Sequence, residues 1–246
     1  MTNQEEYDAA IIVAIQSRDA LRALAGVVEH LRTLGQREAM LSVLEASSLT
    51  NKKQLNRLIA ELNATRRNSY EQIDSTIRDA MQGSAPGTDT NALLVKYPLV
   101  GTFYAEWIAM TEYRETRRVV AALRMALINK EEAKQLAARV TEAYSASKTS
   151  LASLVATVGN MVVNETRMAA MAKADVKQWR ITALVDSGTT NTTLASLAEV
   201  YDVGKGPHLP LHIGGRSIAT PVHEGGGPLP DLETLDQWRA RTGTAP

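Results

Sequence analysis

The sequence predicts an α+β fold that is mainly α: long N-terminal helices, a second helical set, and a small C-terminal unit with short strands. Three observations carry this expectation. From Glu5 to Met81 nearly every residue is a good helix former and proline is absent. Aromatic residues make up 4% of the 246, with one Phe, against 44% hydrophobic residues, so the core must come from Ala, Leu, Val, Ile and Met, which suits helices better than a β-sandwich. Helical periodicity then gives way to alternation at Gln178.

In the first region, residues 1–82, apolar positions recur at helical spacing: Leu21, Leu24, Ala25, Val28, Leu31 and Leu34, then Leu55, Leu58, Ile59 and Leu62, then Ile73 and Ile77. Gly35 and the run Ser47 to Asn51 read as breaks, the second offering hydroxyl or amide caps to the next helix. Two or three long antiparallel helices follow, serving as an interaction region. Gln82 to Thr90 (QGSAPGTDT) is small, polar and rich in turn formers, which predicts a linker over residues 83–102 and a domain boundary there. A second domain, 103–222, opens with helices over 103–175. Trp107, Met110, Tyr113 or Arg114, Arg117, Val120 and Leu123 to Leu127 mark one, Lys130 to Ala143 and Lys148 to Ala174 two more.

The small α+β unit, 176–222, begins where Trp179, Ile181, Ala183 and Val185 alternate with Arg180, Thr182, Leu184 and Asp186. The strand is expected to end at Asp186, in an Asx turn with Thr190 capping a helix that carries Leu194, Leu197 and Ala198. Val200 to Val203 reads as a short strand, Gly204-Lys205-Gly206-Pro207 as a turn, and Leu209 to Val222 as two extended pieces parted by Gly214-Gly215. The tail, 223–246, has a Gly/Pro spacer and a short amphipathic segment with Leu232, Leu235 and Trp238. A helix that short is marginal alone, so these three residues are candidates for contact with this chain or a partner.

With 27 basic and 27 acidic residues, no global field draws the chain to nucleic acid or an anionic surface. The absence of cysteine removes disulfides, zinc-thiolate sites and thiol nucleophiles. The acidic start MTNQEEYD is unlike a signal peptide, and Lys96, Pro98 and Glu106 interrupt the most apolar long stretch, so neither export nor a membrane span is expected.

Three groupings look chemical. Asp186-Ser187-Gly188-Thr189 after a hydrophobic strand is how an aspartic protease presents its carboxylate, but such an enzyme needs a second carboxylate sharing the proton. A single copy would have to dimerise. The chain from Asp186 to Ile213-Gly214 is also too short for a flap. His208 and His212, with His223 and Asp186, have ligand chemistry, yet Pro207 and Pro210 exclude the helix that would put a pair four apart on one face. Gly204 to Pro207 lacks the spacing of a phosphate loop. Basic pairs such as Lys52-Lys53, Arg66-Arg67 and Arg117-Arg118 stand near Glu61, Glu71, Glu112 and Glu115 and read as solvated faces. No cofactor, metal or catalytic activity is expected.

As a set, Trp179, Asp186-Ser187, Thr189-Thr190, Val200-Tyr201, Val203-Gly204, Gly206-Pro207, Pro210, His212, Arg216-Ser217 and Pro221-Val222 resemble, without insertion or deletion, the C-terminal signature of the phage Mu protein F family of minor head proteins. The helices from Trp107 through Asn164-Glu165-Thr166-Arg167 resemble that family's helical lead-in more weakly. Thr193 and Gly215 replace two family cysteines, which implies that relatives link the two positions through a disulfide or a metal and that this chain uses packing and hydrogen bonds instead. Gly188 stands where Arg is common, and Leu197-Ala198 where Asp-Gly is common.

The resemblance implies a few-copy structural protein of the virion, made in the host cytoplasm and added near the portal vertex. Its implied role is in head assembly or in DNA packaging or ejection. The implied partners are the portal protein and the major capsid or scaffold protein of the same phage; self-association and nucleic-acid contact stay open, and no membrane contact is expected. For Asp186, Thr190, His212 and Arg216 a structural role is expected, with Asp186 capping its turn and pairing with Arg216. The alternative is a dimeric aspartic protease or metal-dependent hydrolase built around Asp186.

Overall fold

The computed structural model describes residues 3–45, 51–85, 87–145, 148–183, 191–197, 199–213, 215–222 and 235–243. Along them run α1 (Asn3–Glu45), α2 (Lys52–Ser84), α3 (Thr90–Lys96), α4 (Tyr104–Asn129), α5 (Ala133–Ser145), α6 (Lys148–Lys173), β1 (Gln178–Thr182), α7 (Asn191–Ser196), β2 (Val200–Asp202), β3 (Ile218–Val222) and α8 (Leu235–Thr242). The fold is α+β and mainly α, with a small antiparallel sheet of order β2-β1-β3 near the C-terminus.

Two compact units are not consecutive in sequence. A helical unit combines 22–84 with 102–155; a sheet unit combines 1–21, 85–101 and 156–246. The segment expected as a linker, 83–102, therefore contains α3, whose first turn Asp89 caps by accepting the Ala92 N–H at 3.0 Å, and Leu94 and Leu99 are buried.

In the helical unit, α2 buries Leu55, Leu58, Leu62, Ile73 and Ile77, as its spacing predicts. Leu55, Leu58 and Leu62 pack with Val119, Leu123 and Ala126 of α4 and with Leu136, Val140 and Tyr144 of α5. The Asn51 side chain accepts the N–H groups of Lys53 and Gln54, both at 3.0 Å, and so starts α2. Gly35 is no break, because α1 continues through it. A Cβ built there would lie 2.7 Å from Ser69 Oγ of α2, so the glycine serves close approach of two helices.

The face that α4 turns inward also differs from expectation. Thr111, Glu115, Val119, Ala122, Leu123 and Ala126 are buried, while Tyr113, Arg114 and Arg117 are exposed. Nor are all the charged groupings solvated: Arg66 and Glu115 are 5% and 1% exposed. Both occupy core-facing helical positions; Arg66 Nη2 donates to Asn63 Oδ1, while its Nε and Nη1 are buried without a hydrogen-bond partner among the described residues. Tyr70 Oη donates to Glu115 Oε2 at 2.6 Å. Arg32 Nη1 lies 3.9 Å from Glu115 Oε1 and donates to the Tyr144 carbonyl at 2.9 Å, while its Nε and Nη2 donate to Glu29. Burial pushes the Glu115 carboxyl above its ordinary value, against the Tyr70 hydrogen bond and the attraction of Arg32 and Arg66.

Glu115→Ala would leave the Tyr70 hydroxyl without its acceptor and remove the carboxylate that attracts Arg32 and Arg66, and should cost about 3–5 kcal/mol in urea unfolding. Because the folded-state pKa is raised, the contribution of Glu115 is fullest below its ordinary 4.5 and declines as pH rises through the higher folded value. Wild type should therefore lose stability relative to Glu115→Gln across that interval.

Candidate functional site

The sheet unit holds most of the residues singled out in the sequence. β1 is the central strand, pairing Trp179 with Tyr201 on one side and with Pro221 on the other. Both faces of β1 are covered, since Arg180 and Thr182 are buried along with Trp179 and Ile181. The Thr220 hydroxyl donates to that of Thr182 at 2.9 Å across the ladder.

Trp179 organises one end. Its ring packs at 5.0 Å on Tyr201, and its Nε1–H donates to the Lys205 carbonyl at 3.0 Å. The turn leading there needs glycine twice: Gly204 has φ +86° and Gly206 φ +96°. A Cβ on Gly206 would also come within 2.7 Å of the Tyr201 ring and 2.9 Å of the Trp179 ring. Pro207 follows, and the Leu209–Pro210 bond is cis.

The outer edge of the sheet is bound by α6. Ala219 donates its N–H to Asn164 Oδ1 at 2.7 Å and accepts from Arg167 Nε at 2.8 Å. Asn164 Nδ2 donates to the Ser217 carbonyl at 3.0 Å, and Asn160 Nδ2 donates to the carbonyl of Gly215. Burial lowers the Arg167 pKa. Backbone groups of alternate residues on a strand point the same way, so Pro221 shares the outward parity of Ser217 and Ala219, and its missing N–H costs no bond to β1.

His208 and His212 turn to different partners. His208 Nδ1 lies 3.0 Å from Glu165 Oε1, and its ring packs on Tyr97. His212 Nδ1 donates to the Ile213 carbonyl at 3.1 Å, which in the neutral ring leaves Nε2 to accept the Thr193 hydroxyl at 3.3 Å. Gly215 donates its N–H to the His212 carbonyl at 2.9 Å. Thr193 and Gly215 thus both meet His212. Among the described residues no group of three or more His, Asp or Glu is placed to hold a metal, and no helix is long and apolar enough to cross a membrane.

Asn164, Glu165, Met168, Trp179, residues 203–209, Leu93 of α3 and Tyr97 just after it surround a cleft of about 310 Å³. Its walls are largely apolar, with the Glu165–His208 pair and Lys205 as polar points, and Lys205 Nζ is paired with Asp202 at 3.0 Å. This arrangement can receive an apolar group.

Asp186, Thr189, Thr190 and Leu232 lie outside the described residues, and with Asp186 goes the expected pair with Arg216. Arg216 itself is exposed, just before β3. Of the two extended pieces expected over Leu209 to Val222, the first, 209–213, is a series of bends, because Gly215 closes a turn back on His212. Leu235 opens α8, in which Trp238 is 1% exposed. That indole is spent on this chain, so it does not serve as a partner contact. Asn160, Asn164 and Arg167 were not singled out as site residues; the signal available was their spacing of four and three, which puts three long polar side chains on one helix face.

No protein-family model, curated protein or solved structure matches this chain.

Asn164→Ala would strand the Ala219 N–H and remove one donor to Ser217; it should destabilise the sheet unit by about 2–4 kcal/mol, measured by hydrogen exchange of the β1 and β3 amides. Gly206→Ala combines an unfavourable φ with contact on two rings and should cost more than about 1 kcal/mol by thermal unfolding, whereas Gly204→Ala meets only the φ penalty and should cost less.

Proposed function

We propose that this chain is a structural minor protein of a tailed-phage head, acting near the portal vertex in head assembly or in the packaging or ejection of DNA. One observation supports this reading above others: signature residues dispersed between Trp179 and Pro221 have interlocking structural duties in one packed unit. Trp179, Tyr201 and Gly206 form a single contact, and Pro221 stands opposite Trp179. His212 bonds both cysteine-replacing positions, Thr193 through its ring and Gly215 through its carbonyl. Asn164, Glu165 and Arg167 of the lead-in helix bind the same unit.

In this role the unit is a scaffold, and its polar groups are committed to holding backbone and rings. The partners are the portal protein and the capsid or scaffold protein of the same phage, engaged through exposed helical surface rather than through Trp238. The purified chain should co-sediment with portal rings reconstituted from the same genome. Consistent failure to bind portal, coat and scaffold proteins would refute the assignment.

A further inference from the structure

The exposed face of α4 is basic and apolar at once. From Tyr113 onward its exposed positions carry Tyr113, Arg114, Arg117, Arg118, Ala121, Arg124, Met125, Ile128 and Asn129, with no acid among them. Tyr113, Met125 and Ile128 are 60%, 46% and 70% exposed. Arg117 lies over the Tyr113 ring at 5.9 Å, and among the described residues no ion pair is formed by Arg114, Arg117 or Arg124. The unit as a whole has 17 Lys and Arg to 13 Asp and Glu.

Arg114, Arg117, Ala121, Arg124 and Ile128 are spaced three, four, three and four apart. That spacing makes one stripe along the helix, about 21 Å long at 1.5 Å per residue, which carries three arginines with Ala121 and Ile128. We propose that this face binds an acidic amphipathic helix of a partner protein, with partner carboxylates on the arginines and apolar side chains against Ala121, Met125 and Ile128. The inference rests on the interaction role proposed above, and adds the surface and the chemistry of its partner.

Charge complementarity calls for an anion, and the rest of the face selects which kind. All four cations are Arg, whose fork pairs carboxylates in two bonds, and Tyr, Met and Arg are enriched at protein interfaces while Lys is depleted. A nucleic-acid backbone would match the arginines but offer Met125 and Ile128 nothing apolar. An anionic bilayer needs an uninterrupted apolar face to enter, and here Arg114, Arg117 and Arg124 share one stripe with Ala121 and Ile128.

The test uses the full chain and a fluorescein-labelled peptide of three heptads, with Leu along its seam and Glu beside it. Anisotropy should show salt-sensitive binding that Arg117→Glu with Arg124→Glu weakens at least about tenfold, and that Met125→Ser with Ile128→Ser also weakens. Thermal unfolding of the variants should match wild type, since these side chains hold nothing else in place. A peptide with Lys for Glu should ignore wild type and bind the charge-reversed variant. The proposal is overturned if the Glu peptide does not bind, if charge reversal leaves its binding intact, or if oligothymidylate or phosphatidylserine vesicles bind this face more tightly than the peptide does. Portal co-sedimentation without peptide binding would sink this inference and leave the assignment standing; peptide binding without co-sedimentation would do the reverse.

Discussion

A strand at the rim of a small sheet has one row of backbone groups with no strand to meet them, and the sheet unit depends on how that row is satisfied. On β3 the outward groups are taken up by side chains of α6: Asn164 accepts and donates, Arg167 donates to Ala219, and Asn160 extends the contact to Gly215. A helix face thus stands in for a fourth strand. It also guards the edge, because a row of backbone groups that is already bonded offers no template for pairing with another chain. Three strands of three to five residues have little core of their own, and the polar clamp ties them to a helix long enough to bring one.

The helical unit meets the opposite difficulty. It has ample aliphatic surface, yet places Glu115, Arg32 and Arg66 inside it. Ions taken out of water are costly, and their mutual attraction offsets that cost only with good geometry and further hydrogen bonds. Tyr70, Glu29 and the Tyr144 carbonyl supply those bonds to Glu115 and Arg32, whereas Nε and Nη1 of Arg66 have no hydrogen-bond partner among the described residues. Apolar stripes slide past one another at small cost, whereas a carboxylate that must meet one phenol and one guanidinium admits a single register. The polar cluster therefore accounts for specificity of helix pairing better than for strength.

The parts legible in the sequence were those governed by local rules. Helix content, the Asn51 cap, the Gly204–Pro207 turn and the strand at Trp179 each follow from residues within a few positions of one another. Side-chain facing was less legible where a charged residue occupied a core position. Arg66 falls one turn after Leu62, and Glu115 midway between Thr111 and Val119, in register with their buried stripes; composition argued for solvent and packing prevailed. Gly35 shows the same limit, since a glycine that ends a helix and one that admits a neighbouring helix are the same letter. The α6 clamp was hidden for another reason: its acceptors are backbone groups, which leave no mark in a sequence, about fifty positions away. The division into units was invisible because chain order and spatial grouping differ.

That difference bears on the order in which the protein can be completed as it leaves the ribosome. The helical unit lacks nothing once its last residues, near 155, have emerged. The sheet unit draws on residues 1–21, 85–101 and 156 onward, so its earlier segments must wait for β3 to be synthesised. A helical half would thus exist, folded, while α6 still lacked the strand it clamps. Only when β3 has followed α6 out of the ribosome can Asn164 and Arg167 find the backbone groups they bind.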